Sequence, residues 1–209
     1  MVRDKSSGAI QALLFDLGGV VIDFDFNRVF RRWADISGRR FEYIRSRFQF
    51  DHYFEALERG EIDAVQYFNA LRRTLGIDIS DKAFEEGWNR VYIGEIPGIA
   101  DVLRRASDKL PLYALTNSNS IHKTVWTRRF QRTLRLFRHV FNSSDMGARK
   151  PDPEAFRIVA DATGVDPDAM VFYDDFVENI TGARRAGFHA VHVTSTADVV
   201  NSLNTIFSK

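Results

Sequence analysis

The stretch Ala9-Ile-Gln-Ala-Leu-Leu-Phe-Asp16-Leu-Gly-Gly19 is a short apolar run that stops at an acid and two glycines. A continuous apolar run of this length, bounded by turn residues, is typical of a buried strand in a parallel sheet. Later runs of the same form cover residues 112–117, 170–175 and 189–194, with a weaker candidate at 139–142. The sequence therefore predicts a parallel sheet whose strands end in polar residues at one edge.

Segments with a single apolar stripe alternate with these strands. Pro97 stands where a first-turn proline is tolerated, and apolar residues follow it at helical spacing as far as Leu110. A second helix is predicted between Asp152 and Gly164, and a third before Gly187. This alternation predicts an α/β fold with a doubly wound, Rossmann-like parallel sheet, in which ligands bind beyond the carboxyl ends of the strands.

The alternation of strands and helices stops between residues 26 and 95. Apolar residues recur there at helical spacing throughout, and Gly38, Gly60 and Gly76 mark turns. A span of this length is too long for a loop. We predict four or five helices that form an inserted cap domain over residues 26–95, with a core domain made of residues 1–25 and 96–209.

Composition narrows the classes of function. The 209 residues carry 29 Lys and Arg against 28 Asp and Glu, a net charge of +1. A nucleic-acid-binding protein usually has a marked basic excess, so we expect no nucleic-acid partner. The chain has no cysteine, which excludes a disulfide scaffold, a cysteine-ligated metal and a cysteine nucleophile.

We expect no targeting signal at the amino terminus. Met1–Gly8 is polar, and the apolar stretch that follows is interrupted by Asp16, Asp23 and Asp25. A signal peptide needs an uncharged apolar core, and a membrane helix needs about 20 apolar residues. We therefore expect a soluble, cytoplasmic protein without a membrane partner, either a monomer or a homodimer.

Polar residues suited to phosphate chemistry follow the predicted strands or precede a helix: Asp16, Thr116, Asn117, Lys150, Asp174 and Asp175. In a parallel sheet, strand ends that are far apart in the chain meet at one crevice. A carboxylate there can attack phosphorus, while a hydroxyl and an ammonium hold the other oxygens. Three acids would repel one another unless a cation lay among them, so the cluster predicts Mg²⁺. The predicted reaction is phosphoryl transfer to an aspartate from a small phosphorylated metabolite.

Each of these residues has a structural explanation when taken alone. An Asp after a strand often caps a helix, and Lys150 suits a solvated loop. The order along the chain carries the inference. A receiver domain of a response regulator uses a similar set, but its paired acids precede the phosphorylated Asp, so we reject that reading. The 18 Phe follow the apolar stripes, and we expect them in the core.

Four segments resemble, in order, the motifs of the haloacid dehalogenase superfamily: Phe15-Asp-Leu-Gly-Gly-Val20, Leu115-Thr-Asn117, Arg149-Lys-Pro151 and Phe172-Tyr-Asp-Asp-Phe-Val-Glu-Asn179. The resemblance covers essentially the whole chain, and the helical insertion resembles the C1 cap of that superfamily. Within it, residues 15–28 and 58–62 are most similar to the bacterial α-D-glucose-1-phosphate phosphatase group.

The resemblance implies roles for individual residues. Asp16 would be the nucleophile and a Mg²⁺ ligand, together with the backbone carbonyl of Gly18. Asp175 would be the main acid ligand, and Asp174 would bind the metal directly or through water. The residues that hold the phosphoryl oxygens would be Thr116, the Asn117 backbone and Lys150.

One departure from the family pattern concerns Gly18. Most phosphatases of the superfamily have a second Asp there, which protonates the leaving alcohol, and such acid catalysis is worth ~10²–10⁴-fold. A sugar 1-phosphate such as glucose 1-phosphate relaxes this need, because its anomeric oxygen leaves more readily. The resemblance thus implies a Mg²⁺-dependent phosphatase with an aspartyl-phosphate intermediate. The alternatives are a metal-independent 2-haloacid dehalogenase and a catalytically weak ligand-binding member of the superfamily.

Overall fold

The computed structural model describes residues 9–208. Met1–Gly8, the segment on which the expectation about a signal peptide rests, and Lys209 lie outside the described residues. The strands are β1 Ala12–Phe15, β2 Ile22–Phe24, β3 Tyr92–Glu95, β4 Leu112–Thr116, β5 Phe137–Asn142, β6 Met170–Asp174 and β7 His189–His192. Within the described chain, five of them form a parallel sheet in the order β5-β4-β1-β6-β7. The strands predicted from the sequence, including the weaker one, are confirmed.

Helices cover both faces of this sheet. Their bounds are α1 Phe26–Ser37, α2 Phe41–Arg47, α3 His52–Glu58, α4 Ala64–Leu75, α5 Asp81–Trp88, α6 Ile99–Ser107, α7 Ser120–Arg129, α8 Gln131–Leu134, α9 Ser143–Met146, α10 Pro153–Thr163, α11 Val177–Arg185 and α12 Thr196–Phe207. In β1, Leu13 and Phe15 belong to one apolar cluster, and Ala12 and Leu14 to another. Because alternate residues of a strand point to opposite faces, the sheet is doubly wound, as predicted.

The position of β1 at the centre of the sheet brings the polar strand ends together. All four of its residues are fully buried, and Phe15 lies opposite Ala114 of β4 and Tyr173 of β6. Asp16 continues β1 by one residue, and Asp174 ends β6. The carboxyl ends of the three middle strands therefore share one edge.

The helical insertion contains five helices, α1 to α5, followed by a single 3-10 turn at Asn89–Val91. The prediction of helix throughout residues 26–95 is wrong for its last four residues, which form β3 and pair antiparallel with β2. Tyr92 and Ile93 have a high propensity for strands, and hydrogen bonding to β2 holds this segment in the extended conformation. The domain boundaries at residues 25 and 96 stay a prediction. No helix in the described chain combines the length and apolar character needed to cross a bilayer.

Aromatic side chains fill the interior of the insertion. Trp33 and Trp88 are fully buried and stack with their ring centroids 5.7 Å apart. The expectation that every Phe belongs to the core is wrong for Phe50, Phe176 and Phe207, whose exposed fractions are 60%, 54% and 39%. A phenylalanine at the predicted spacing is therefore not always a core residue in this chain.

Candidate active site

Three carboxylates meet at the carboxyl edge of the sheet. One oxygen from each of Asp16, Asp174 and Asp175 lies within 4.8 Å of the other two. Backbone groups of two other residues hold Asp16, because its N–H donates to the Tyr173 carbonyl at 2.8 Å and its Oδ1 accepts from the Leu17 N–H at 2.6 Å. Burial raises the pKa of Asp16 well above its usual value, and the charge of Asp174 adds to the rise. The site is thus a crowded acidic pocket.

Lys150 lies between two of these acids. Its side chain is fully buried, and Nζ is 2.8 Å from Asp16 Oδ2 and 2.6 Å from Asp174 Oδ2. Burial lowers the pKa of Lys150, but the charges of Asp16 and Asp174 outweigh that effect and raise it above its ordinary value. Lys150 is therefore charged, and it compensates one of three neighbouring acids.

Asn117 fixes the backbone of Lys150. Its side-chain amide donates to the Lys150 carbonyl at 2.9 Å, and its Oδ1 accepts from the Lys150 N–H at 2.8 Å. Thr116, buried at the end of β4, directly precedes Asn117. The Asn117 side chain therefore links the second motif to the backbone of the third by two hydrogen bonds. The roles of Thr116 and Asn117 toward phosphate stay predictions.

Asp174 and Asp175 differ in how many of their oxygens are already used. Asp174 is fully buried, and both of its oxygens accept hydrogen bonds. Oδ1 accepts from the Phe176 N–H and Oδ2 from Lys150, and each oxygen also accepts from the Asn179 amide. Asp175 Oδ1 is buried and lacks a hydrogen-bond partner within residues 9–208. Burial and the adjacent Asp174 charge raise the pKa of Asp175 to about 6. Asp175 therefore keeps an oxygen free for another ligand.

The acid cluster fits a divalent cation. Three carboxylates face one ammonium, and Asp175 Oδ1 would otherwise be a buried, unsatisfied acceptor. Mg²⁺ binds carboxylate oxygens, backbone carbonyls and water. Asp16 and Asp175 would hold it, with the Gly18 carbonyl as the further ligand that the family resemblance implies. Both oxygens of Asp174 already accept hydrogen bonds, and its role as a metal ligand, direct or through water, stays a prediction.

Different contacts limit the size of the side chain at Gly18 and at Gly19, the two glycines of the loop after Asp16. Gly19 has a φ of 71°, and a Cβ atom there would collide with the Asp175 carboxylate. Gly18 does not have a positive φ, and its Cβ position lies 3.1 Å from Cε1 of Phe24. Sequence reasoning missed both Gly19 and Phe24, although the Gly-Gly pair signals a close approach of another group to this loop.

A partly buried ion pair joins the helical insertion to the loop that carries Lys150. Arg149 Nε donates to Glu58 Oε2 at 2.9 Å, and Arg149 also contacts Glu55 at 3.3 Å. Burial raises the pKa of Glu58 to about 6, against the lowering effect of Arg149. Close by, a Cβ atom at Gly60 would lie 2.5 Å from the Ser144 carbonyl. The end of α3 and the residues after it therefore pack closely on the loops around Ser144 and Arg149. No local sequence pattern indicates this contact.

Comparison with known proteins finds several phosphatases among the relatives of this chain. The phosphatase MT3486 of Mycobacterium tuberculosis is 28% identical over 196 residues, which cover 87% of this chain and 86% of that protein. The phosphorylated carbohydrates phosphatase of Thermotoga maritima is 24% identical, over 93% and 88% of the two chains. A Bacteroides thetaiotaomicron enzyme of the haloacid dehalogenase family, solved with magnesium and inorganic phosphate, matches at 28% identity with a TM-score of 0.77, over 90% of this chain and 96% of that one.

The family model for haloacid dehalogenase-like hydrolases matches residues 10–187. This range contains the three clustered acids, Lys150 and the whole helical insertion. The central sheet agrees with the fold of the structural relatives. Sequence, fold and the convergence of the four motifs lead to the same conclusion: the chain belongs to the haloacid dehalogenase-like hydrolases.

Proposed function

We propose that this hydrolase is a Mg²⁺-dependent phosphatase that transfers the phosphoryl group of a small phosphorylated metabolite to Asp16 and then to water. The observation that carries the proposal is the buried contact of Lys150 with Asp16 and Asp174, beside the free oxygen of Asp175. The names of the relatives, among them a phosphatase of phosphorylated carbohydrates, support the same reaction class.

The first step forms an acyl phosphate on Asp16. A carboxylate oxygen of Asp16 attacks phosphorus, and the bond from phosphorus to the ester oxygen breaks with its electron pair going to the leaving oxygen. That oxygen takes a proton from solvent. An ammonium has three donors, and Lys150 directs two of them to Asp16 and Asp174. The third donor and the Thr116 hydroxyl would hold phosphoryl oxygens as they gain charge.

The second step regenerates the enzyme. Water attacks the phosphorus of the acyl phosphate, the bond from phosphorus to Asp16 breaks, and inorganic phosphate leaves with the protons of the water. Bound Mg²⁺ would neutralise charge on the phosphoryl group. Lys150 keeps Asp16 in place through both steps because its backbone is clamped by Asn117.

The dehalogenase alternative accounts for less of this geometry. A 2-haloacid dehalogenase also uses an Asp nucleophile, but it needs no metal. The free oxygen of Asp175, buried between other acids, would then have no use. A weak ligand-binding protein would leave the contact between Lys150 and Asp16 unexplained. The phosphatase reaction uses both features.

Metal removal tests the proposal. We expect EDTA to abolish hydrolysis of acetyl phosphate and Mg²⁺ to restore it. Asp175→Asn should raise the Mg²⁺ concentration for half-maximal activity by at least about tenfold, since a metal ligand is lost. Asp145→Asn, which changes an exposed partner of Lys123, is the matched control and should leave this concentration unchanged. Undiminished turnover in EDTA, or release of chloride from 2-chloropropionate, would overturn the proposal.

The finer proposal concerns the leaving group, for which we favour a sugar 1-phosphate such as glucose 1-phosphate. Residue 18 is a glycine, so no acid at this position protonates the leaving oxygen, and the Phe24 ring bounds the space that a side chain there would enter. An anomeric oxygen tolerates this lack better than a simple alcohol does. Membership in the glucose-1-phosphate phosphatase group stays a prediction.

A leaving-group series measures this dependence. In the wild type we expect kcat/KM to fall steeply from acetyl phosphate through glucose 1-phosphate to glucose 6-phosphate. Gly18→Asp combined with Phe24→Ala should raise the 6-phosphate rate relative to acetyl phosphate by about tenfold or more, because the new acid gains room. Gly18→Asp alone should gain less, since its Cβ meets Phe24. Equal kcat/KM for all three substrates in the wild type would contradict the missing-acid argument.

A further inference from the structure

An aromatic ring lies against the catalytic loop beside the nucleophile. The Cε1, Cδ1 and Cζ atoms of Phe24 lie 3.1, 3.5 and 3.9 Å from the Cβ position of Gly18. Gly18 is two residues from Asp16, so this ring contacts the loop that carries the proposed nucleophile. The side-chain position of residue 18, which carries no acid in this chain, is therefore bounded by an aromatic ring.

This apolar surface continues outward to the solvent. The rings of Phe24 and Phe26 have centroids 6.0 Å apart, and those of Phe26 and Phe50 are 5.2 Å apart in an edge-to-face arrangement. Phe50 lies between α2 and α3, packs on Phe54 at 4.9 Å and is 60% exposed. Two ring-to-ring steps thus connect the catalytic loop to an exposed phenylalanine on the helical insertion.

A second apolar patch lies on the core side of the same edge. Phe176 and Val177 directly follow the acid pair and are 54% and 57% exposed. The Phe176 N–H donates to Asp174 Oδ1 at 2.8 Å, which ties this patch to the acid cluster. Exposed apolar side chains that adjoin a buried charged site are typical of a ligand-binding surface, where aromatic groups hold the ligand body and polar groups orient it.

We propose that the substrate's leaving group carries a ring with an apolar face and that Phe50, with Phe24 and Phe26, holds that ring. The proposal rests on the phosphatase function proposed above and names the substrate class of that site. An aryl group and the apolar face of a sugar ring share this chemistry. The contact of this aromatic surface with the catalytic loop assigns it to the leaving group, because in the proposed reaction the phosphoryl group would face the acids and Lys150.

Binding of phosphonates tests the proposal without turnover, since their carbon–phosphorus bond replaces the ester bond. The full chain with Mg²⁺ is titrated calorimetrically with methylphosphonate, benzylphosphonate and the C-glycosyl phosphonate analogue of glucose 1-phosphate. We expect at least one ring phosphonate to bind about three- to tenfold more tightly than methylphosphonate, the range of an aromatic contact. Phe50→Ala should remove this difference.

Two further variants make the result specific. Phe50→Leu keeps apolar contact without a ring and should lose part of the preference. Phe207→Ala changes an exposed phenylalanine in the groove that also contains Ala9 and Ile10, at the start of β1 and away from the acids, and it should keep the full preference. Loss for benzylphosphonate alone would identify an aryl substrate, and loss for the glycosyl analogue alone a sugar.

The proposal is overturned if neither ring phosphonate binds more tightly than methylphosphonate, or if Phe50→Ala leaves the difference intact. Failure of the phosphatase function is a separate result, because it would appear as absent hydrolysis of acetyl phosphate. The phosphonate affinities would still decide whether the aromatic surface holds a ring.

Discussion

Asp16→Asn is expected to abolish hydrolysis of acetyl phosphate, with a loss of at least about 10³-fold in kcat, because an amide does not form the acyl phosphate. Asparagine is nearly isosteric with aspartate, and its amide oxygen still accepts from the Leu17 N–H that bonds Asp16 Oδ1. The variant should therefore keep the wild-type circular dichroism spectrum. The measurement is steady-state turnover of well-purified protein in saturating Mg²⁺.

An exposed acid supplies the control for this variant. Asp101→Asn makes the same chemical change on α6, where the Asp101 side chain is 76% exposed and pairs with Arg104. Its kcat should equal that of the wild type. Retention of more than a few per cent of activity by Asp16→Asn would show that another group is the nucleophile.

Lys150→Met is expected to lower the free energy of unfolding by about 3–5 kcal/mol and to remove activity, because it takes from two buried acids the one cation that contacts them both among residues 9–208. Lys150 Nζ contacts both Asp16 and Asp174, and its side chain is fully buried. Methionine fills a similar volume without charge. Urea unfolding at pH 7 in EDTA measures the change.

Lys123→Met is the matched control, since the ion pair of Lys123 with Asp145 has comparable geometry but its side chains are 43% and 49% exposed. An exposed pair of this kind contributes about 0–1 kcal/mol. Added Mg²⁺ should raise the Tm of Lys150→Met more than that of the wild type, because the cation replaces lost positive charge. Equal destabilisation by the two methionine variants would show that Lys150 does not compensate the acids.

The strands and their polar ends were predictable because local burial leaves a local signature. Each middle strand is buried on both faces, so its sequence is a continuous apolar run, and the first polar residue marks the sheet edge. The short ribbon of β2 and β3 was missed. Each of its strands has only three or four residues, and their pairing joins segments on either side of the helical insertion.

The exposure of Phe50 and Phe176 was also beyond sequence reasoning. Both fall within apolar patterns that favour burial, and only the packing of neighbouring elements leaves them at the surface. The contact of Arg149 with Glu58 joins residues 91 positions apart. Such a contact depends on how α3 is placed against the core, which local periodicity does not encode.

The sequence by itself determined the α/β class, the helical insertion, the family resemblance and the set of acids, hydroxyl and ammonium at the strand ends. Only the tertiary structure decided that Lys150 contacts both Asp16 and Asp174, that Asp175 Oδ1 lacks a hydrogen-bond partner within residues 9–208, and that Phe24 occupies the space beside Gly18. The physical reason is that periodicity and turn chemistry act over a few residues. Charge compensation and steric contact depend on atoms brought together from distant parts of the chain.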